Sequence, residues 1–294
     1  MSAETRPSPL LPPGIELSGI GDEAGTSLGE QIAALSALGW GAVELRTVDG
    51  TAVADLDENG FEHLCVRLAD AGLRAACVDS RIADWARPVT ADFAADLREL
   101  DILGKRCARL GTRFVRVMSY PNDGLDEDAW RSEVLRRMRE LTARAEDAGL
   151  VLLHENCAGW AATRADRMRT LLEHVDSPAL RLLFDTGNGV AYDYEAYDLL
   201  PEIAPYVAHV HVKDALGTPD DTRYTLPGRG RCRVRDALRL LLDHGYTGVW
   251  SIEPHINVRP HESLTTTGRS GVEAFVAYGR ELERLAGGLG RGAA

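Results

Sequence analysis

LVLLHE at 150–155, LRLLFD at 180–185, VAHVHV at 207–212 and GVWSIE at 248–253 decide the fold. Each is a short, mostly apolar run, and each carries a carboxylate or an imidazole at or next to its end. A run that is apolar on both faces suits a strand of a parallel sheet with helices covering it. Earlier runs at 15–20, 41–46 (GAVELR), 73–79 and 114–118 have the same character. Amphipathic segments separate them, with helical patterns at 28–38, 58–71, 91–110, 127–148 and 272–285. Ser27 and Glu30 have the spacing of a capping box. Gly72, Gly111 and Gly149 stand where a helix should stop. Strands alternating with helices mean βα units. Eight strand candidates, with no composition break between them, predict an α/β chain folded as a single (β/α)8 TIM barrel over 15–287. Flexible segments are expected at 1–14 and 288–294.

An open doubly wound sheet is the alternative. It calls for a GxGxxG phosphate loop after an early strand. Here the first run ends in GIGDEAG, which sets Asp22 and Glu23 where a phosphate would approach.

Bulk properties narrow the function. The length of 294 residues accommodates one barrel, which takes about 250 residues. A net charge of −12 works against nucleic-acid binding, which needs a basic face. The five cysteines are scattered and form no CxxC pair, so reduced thiols in the cytoplasm are expected and a zinc-thiolate site is not. The opening MSAETRPSPLLPPG has no apolar core of a secretory signal. No stretch approaches the roughly 18 apolar residues of a membrane helix.

In a barrel, strand ends project at one C-terminal rim, where such enzymes keep their active sites. Glu155, Asp185, His211 and Glu253 therefore converge. Three carboxylates crowded together repel one another unless a cation sits among them. The expected cofactor is one divalent cation held by these four. Mn²⁺ comes first, with Mg²⁺, Co²⁺ or Zn²⁺ as alternatives; zinc prefers more nitrogen or sulfur.

The segments GDE, EQIAALSALGWGAVELR, LLHEN, LLFDTGN, HVHVKDA, PGRG and SIEPH, in this order and spacing, resemble the xylose-isomerase-like TIM barrel superfamily. The likeness is to its sugar-phosphate isomerase and epimerase branch, related to ketose 3-epimerases, over nearly the whole chain. The resemblance implies that Glu155, Asp185, His211 and Glu253 are the metal ligands. It also implies that Glu155 and Glu253 exchange protons with a carbohydrate substrate through an enediolate. Ketose epimerases often carry a histidine where Asn188 stands here, which opens the choice of substrate. Lys213, Arg229, His255, Trp160 and Glu44 are further substrate-contact candidates. The plainer readings are an internal Lys213–Asp214 ion pair, a solvated loop for Arg229, loop packing for Trp160 and an ion pair with Arg46 or a neighbour for Glu44. His209 is expected deeper in the barrel.

The expected partner is a small-molecule carbohydrate, not nucleic acid or membrane, with homo-oligomerisation open. The main rival to an isomerase or epimerase is a lyase on the same scaffold. That would be a dehydratase or a β-eliminating enzyme, including one cleaving C-glycosides of oxidised substrates. An apurinic-site endonuclease would need more metal ligands and a basic face. A non-catalytic sugar-binding barrel would not need the ligand set.

Overall fold

A computed structural model of the protein describes residues 11–256, 258–259, 264–265 and 270–290. Eight strands form one parallel sheet: β1 (Ile15–Gly19), β2 (Ala42–Leu45), β3 (Arg74–Asp79), β4 (Phe114–Ser119), β5 (Val151–Gly159), β6 (Leu180–Asp185), β7 (Val207–Val212) and β8 (Gly248–Ile252). Each pairs with its sequence neighbour from β2 to β8, and β8 pairs back onto β1. A single bridge, Ile20 to Glu44, joins β1 to β2 and completes the (β/α)8 barrel.

Helices α1 (Leu28–Leu38), α2 (Glu58–Asp70), α3 (Phe93–Leu110), α4 (Glu127–Asp147) and α5 (Ala165–Val175) follow the first five strands. The capping box at Ser27 and Glu30 forms in both directions. Gly72, Gly111 and Gly149 all have positive φ just past their helices, which a residue without Cβ adopts freely. After β6 the cover is broken into short turns, α6 (Asn188–Ala191) and α7 (Leu200–Ile203), with Pro201 in the first turn of α7. Helix α8 (Val234–Asp243) follows β7 and α9 (Gly271–Gly290) follows β8.

The C-terminal helix runs further than expected. Residues 1–10 and 291–294 lie outside the described ones. The last helix does not stop near 285 but continues to Gly290. Gly287, Gly288 and Gly290 read as a tail because glycine disfavours helix. Leu285, Ala286 and Leu289 are all buried, however, and packing outweighs that propensity. No described helix is long and apolar enough to cross a membrane.

Two strands overrun or underrun their expected ends in ways that shape the site. β5 continues past Glu155 to Gly159, where it pairs with Ser119 after a register shift. β8 stops at Ile252, and the Glu253 N–H closes onto the Val212 carbonyl. Glu253 therefore sits at the rim just beyond its strand.

Candidate metal and proton-transfer site

Glu155, Asp185, His211 and Glu253 converge at the C-terminal end of the barrel, with one ligand atom from each within 4.8 Å of the others. All four are buried. Asp185 and His211 are register partners on β6 and β7. Their neighbours fix each side chain. Asp185 Oδ1 accepts from the N–H groups of Gly187 and Asn188 at 2.6 and 2.7 Å. Oδ2 makes no hydrogen bond among the described residues and faces the Lys213 ammonium at 3.1 Å. Asn156 clamps the Asp185 backbone, accepting from its N–H at 2.7 Å and donating to its carbonyl at 2.9 Å. Asn188 Nδ2 donates to Glu155 Oε1 at 2.9 Å.

Glu44 sits beneath this cluster. Its two oxygens take one imidazole each, His209 Nε2 at 2.9 Å and His211 Nε2 at 3.0 Å. That turns His211 Nδ1 toward the carboxylates, 3.7 Å from Glu155, 3.4 Å from Glu253 and 4.0 Å from Asp185. Nδ1 makes no hydrogen bond among the described residues either. A fully buried carboxylate oxygen and imidazole nitrogen, 4.0 Å apart and both lacking a hydrogen bond among the described residues, fit a divalent cation. A carboxylate holding the far nitrogen of a ligating histidine is the common support for such a ligand.

Cations surround the carboxylates. Lys213 Nζ lies 2.6 Å from Glu253 Oε2 and 3.1 Å from Asp185 Oδ2. Arg46 binds Asp22 and Glu23 and reaches Glu253 Oε1 at 3.3 Å. His255, in a left-handed backbone conformation (φ 51°), places Nδ1 2.9 Å from Glu23 and Nε2 3.7 Å from Glu253. Burial opposes ionisation of Glu253, but Lys213 and His255 outweigh it and hold the carboxyl well below the usual range. Burial likewise works against Glu155, and His211 and Arg116 bring it down to about 2. At Asp185 burial prevails over Lys213 and lifts the group to about 6.

His211 illustrates how a cation would compete with protons. Burial disfavours its imidazolium, yet Glu44 and the facing Glu155 and Glu253 raise it well above 6.5. A raised basic group keeps its proton at neutral pH, and a metal needs that nitrogen deprotonated. Mn²⁺ binding is therefore expected to release a proton. Apparent affinity should climb about tenfold per pH unit while His211 remains the proton's holder. Calorimetric titrations in two buffers of different protonation enthalpy measure the release; a flat affinity from about pH 6 to 8 would contradict it.

A cavity of about 370 Å³ opens above the cluster, lined by Glu155, Asn188, Lys213, Glu253 and His255 together with Arg46, Arg116, Met118, Cys157 and the rim aromatics Trp85, Tyr192 and Tyr224. Three expected contacts lie elsewhere. Arg229 does not line the cavity; its side chain is 63% exposed and pairs with Glu281 of α9 at 3.2 Å. Trp160 is buried, donating from Nε1 to Glu127 at 2.8 Å, and does not line the cavity either. Glu44 is held below the ligands by the two histidines rather than by Arg46. Nor does Lys213 pair with Asp214. The Asp214 carboxylate instead accepts from the N–H groups of Gly228, Gly230 and Cys232 at 2.8 to 3.2 Å. The HVKDA and PGRG segments are thus two halves of one loop clasp. A Cβ on Gly230 would meet Asp214 Oδ1 at 2.1 Å, so glycine is required there. Asp214→Ala is expected to cost on the order of 3 kcal/mol, since several N–H groups lose a charged acceptor. Thermal or urea unfolding measures it, and an unchanged midpoint would show that the clasp contributes nothing.

Residues that the motifs did not single out complete the site. Asn156 follows Glu155 directly. Arg116 is a charge inside an otherwise apolar strand run, which is a readable signal for a barrel interior, and Arg46 follows its strand directly.

The sequence pattern of the family described as "Xylose isomerase-like TIM barrel" matches residues 32–270, and the chain belongs to that family. It is 34% identical over 140 residues to a 2-epi-5-epi-valiolone 7-phosphate 2-epimerase of Actinoplanes sp., covering 47% of this chain and 49% of the relative. It is 25% identical over 144 residues to an inosose dehydratase of Clostridium perfringens, covering 44% and 48%. The chain thus spans about half the length of the curated relatives it matches. Among solved structures, a xylose isomerase-like TIM barrel protein of Mycobacterium smegmatis in complex with magnesium superposes with TM-score 0.68 at 18% identity. That match covers 95% of this chain and 98% of the other. The curated relatives thus include an epimerase and a dehydratase.

Proposed function

We propose that this protein is a divalent-cation-dependent isomerase or epimerase of a polyhydroxylated carbonyl compound, with Glu155 and Glu253 as the proton-transfer pair. The observation that carries this reading is the approach of two buried carboxylates, from β5 and from just beyond β8, to the same imidazole nitrogen at the cavity floor. Glu155, Asp185, His211 and Glu253 would hold the ion. When bound it would polarise a carbonyl and a neighbouring hydroxyl of the substrate and so acidify the C–H between or beside them. Mn²⁺ is the expected ion; the magnesium of the Mycobacterium smegmatis relative supports a hard divalent cation.

The two glutamates are held differently. Glu155 is steadied by the neutral Asn188 amide, and its nearest guanidinium nitrogen is 3.6 Å away. Glu253 touches an ammonium at 2.6 Å and a guanidinium at 3.3 Å. A carboxylate with fewer cationic contacts gives up less on accepting a proton. Glu155 is therefore the better base and Glu253 the partner on the opposite side. A proton taken by one and returned by the other inverts a stereocentre; returned to the adjacent carbon, it moves the carbonyl. The substrate is a small carbohydrate or cyclitol, sized to the cavity and flanked at its mouth by Trp85 and Tyr192. The five free thiols agree with a cytoplasmic protein.

A lyase is favoured by one observation. Lys213 lines the cavity with its ammonium against Glu253 and Asp185, where it can supply a proton to a departing hydroxyl. The similarity to an inosose dehydratase points the same way.

Metal content, followed by solvent-deuterium exchange into a panel of ketoses, keto-inositols and oxidised glycosides, tests both. The expected result is about one cation per chain and deuterium at a carbon beside a carbonyl. Products then separate isomer from dehydrated or cleaved compound. Failure to bind Mn²⁺, Co²⁺ or Mg²⁺ would overturn the reading.

A further inference from the structure

Three cationic side chains line the cavity, and they are not equivalent. Arg46 spends Nε and Nη2 on Asp22 and Glu23 and turns Nη1 to Glu253. Lys213 is spent on Glu253 and Asp185. Arg116 is different. Its side chain is only 5% exposed, yet its nearest carboxylate oxygens, on Asp79 and Glu155, stand 3.5 and 3.6 Å from Nε. Neither Nε nor Nη1 has a hydrogen-bond partner among the described residues. Arg116 thus has ion pairs at 3.5 and 3.6 Å, the nearer to an Asp79 carboxylate whose own oxygens also lack hydrogen bonds among the described residues, and two buried donors that a ligand oxygen would complete. Arg116 lines the cavity, and its fork-shaped donor set matches the two oxygens of a carboxylate or phosphate.

We propose that Arg116 anchors an anionic substituent of the substrate, a carboxylate or phosphate, so that the enzyme acts on acidic polyols in preference to neutral ones. Position narrows the class further. Nε lies 3.6 Å from Glu155 Oε2, which, resting on the proton-transfer reading above, is the group that faces the reacting C–H. The anion held at Arg116 is therefore carried on the reacting ring or chain itself, close to the reacting carbon, and not on a distant appendage. Met118 and Cys157 also line this cavity, so Arg116 works in partly apolar surroundings that strengthen a charge-assisted pair.

The test is binding, which needs no turnover. Calorimetric titration of the Mn²⁺-loaded protein compares myo-inositol with two charged counterparts, quinate and myo-inositol 1-phosphate. At least one charged probe is expected to bind about tenfold or more tighter than the neutral one. Arg116→Met should abolish that preference, read as the ratio of the charged probe's affinity to that of myo-inositol in the same variant. Arg116→Lys, which keeps the charge but not the fork, should retain a weakened preference, and it decides the matter if Arg116→Met does not fold. A stronger gain for quinate assigns a carboxylate, and one for the phosphate ester assigns a phosphate. Equal binding of all three probes to the wild type overturns the proposal, as does a preference undiminished in both variants. Deuterium exchange on the same wild-type protein keeps the two readings apart. Its absence beside an intact Arg116-dependent preference would overturn the proton-transfer pair and leave the anchor standing.

Discussion

Glu253→Gln is expected to leave a folded, largely metal-competent protein whose solvent-deuterium exchange falls by about 10²- to 10⁴-fold, the usual worth of a positioned acid–base group. The shape of the side chain is kept, and each cation that touches it retains another carboxylate: Arg46 keeps Asp22 and Glu23, and Lys213 keeps Asp185. Loss of exchange would therefore not follow from collapse of the site. Glu253 is also a proposed ligand, so Mn²⁺ affinity must be measured on the same variant, and exchange compared at saturating ion. Glu155→Gln should show a similar loss for the opposite reason, removal of the less encumbered base. If Glu253→Gln bound the ion and exchanged at the wild-type rate, proton transfer would use one carboxylate only, and the reaction would be restricted to one face of the substrate.

Much of this could be read before the structure because its determinants are local. The eight apolar runs, the Ser27–Glu30 box and the glycine stops each depend on a few adjacent residues, and all took their expected places. Convergence of Glu155, Asp185, His211 and Glu253 required only that a barrel aligns strand ends. What escaped depends on contacts between residues far apart in the chain. Glu44 and His211 are separated by 167 positions, and their pairing follows from how β2 and β7 face each other across the closed barrel. The Asp214 clasp escaped because Lys213 offered a nearer and chemically plausible partner. Arg229 shares its loop with the glycines that Asp214 holds, and that clasp turns its side chain out to Glu281. Arg116 was legible as a lone charge in FVRVMS, but only the geometry reveals that two of its buried donors make no hydrogen bond among the described residues.

Glu44→Ala is expected to weaken Mn²⁺ binding by about 10- to 100-fold, although Glu44 is not among the four proposed ligands. Burial penalises its charge, but His209 and His211 outweigh that penalty and hold it well below the ordinary carboxylate range. The ionised form can accept an N–H from both imidazoles at once, which fixes the proton of His211 on Nε2 and leaves Nδ1 for the metal. Removing Glu44 strands two buried imidazoles, which should also cost about 2–5 kcal/mol of stability. Glu44→Gln separates these effects. Its amide has one acceptor oxygen where the carboxylate has two, so one histidine must turn its lone pair toward the amide nitrogen. If that histidine is His211, Nδ1 takes the proton and is lost as a ligand; if it is His209, metal binding survives. Mn²⁺ affinity near wild type in Glu44→Gln, with a deficit in Glu44→Ala, would mean that the amide oxygen has settled on His211. Unchanged affinity in both variants would mean that His211 is oriented by the barrel wall alone and that Glu44 serves only as a hydrogen-bond partner of the buried pair.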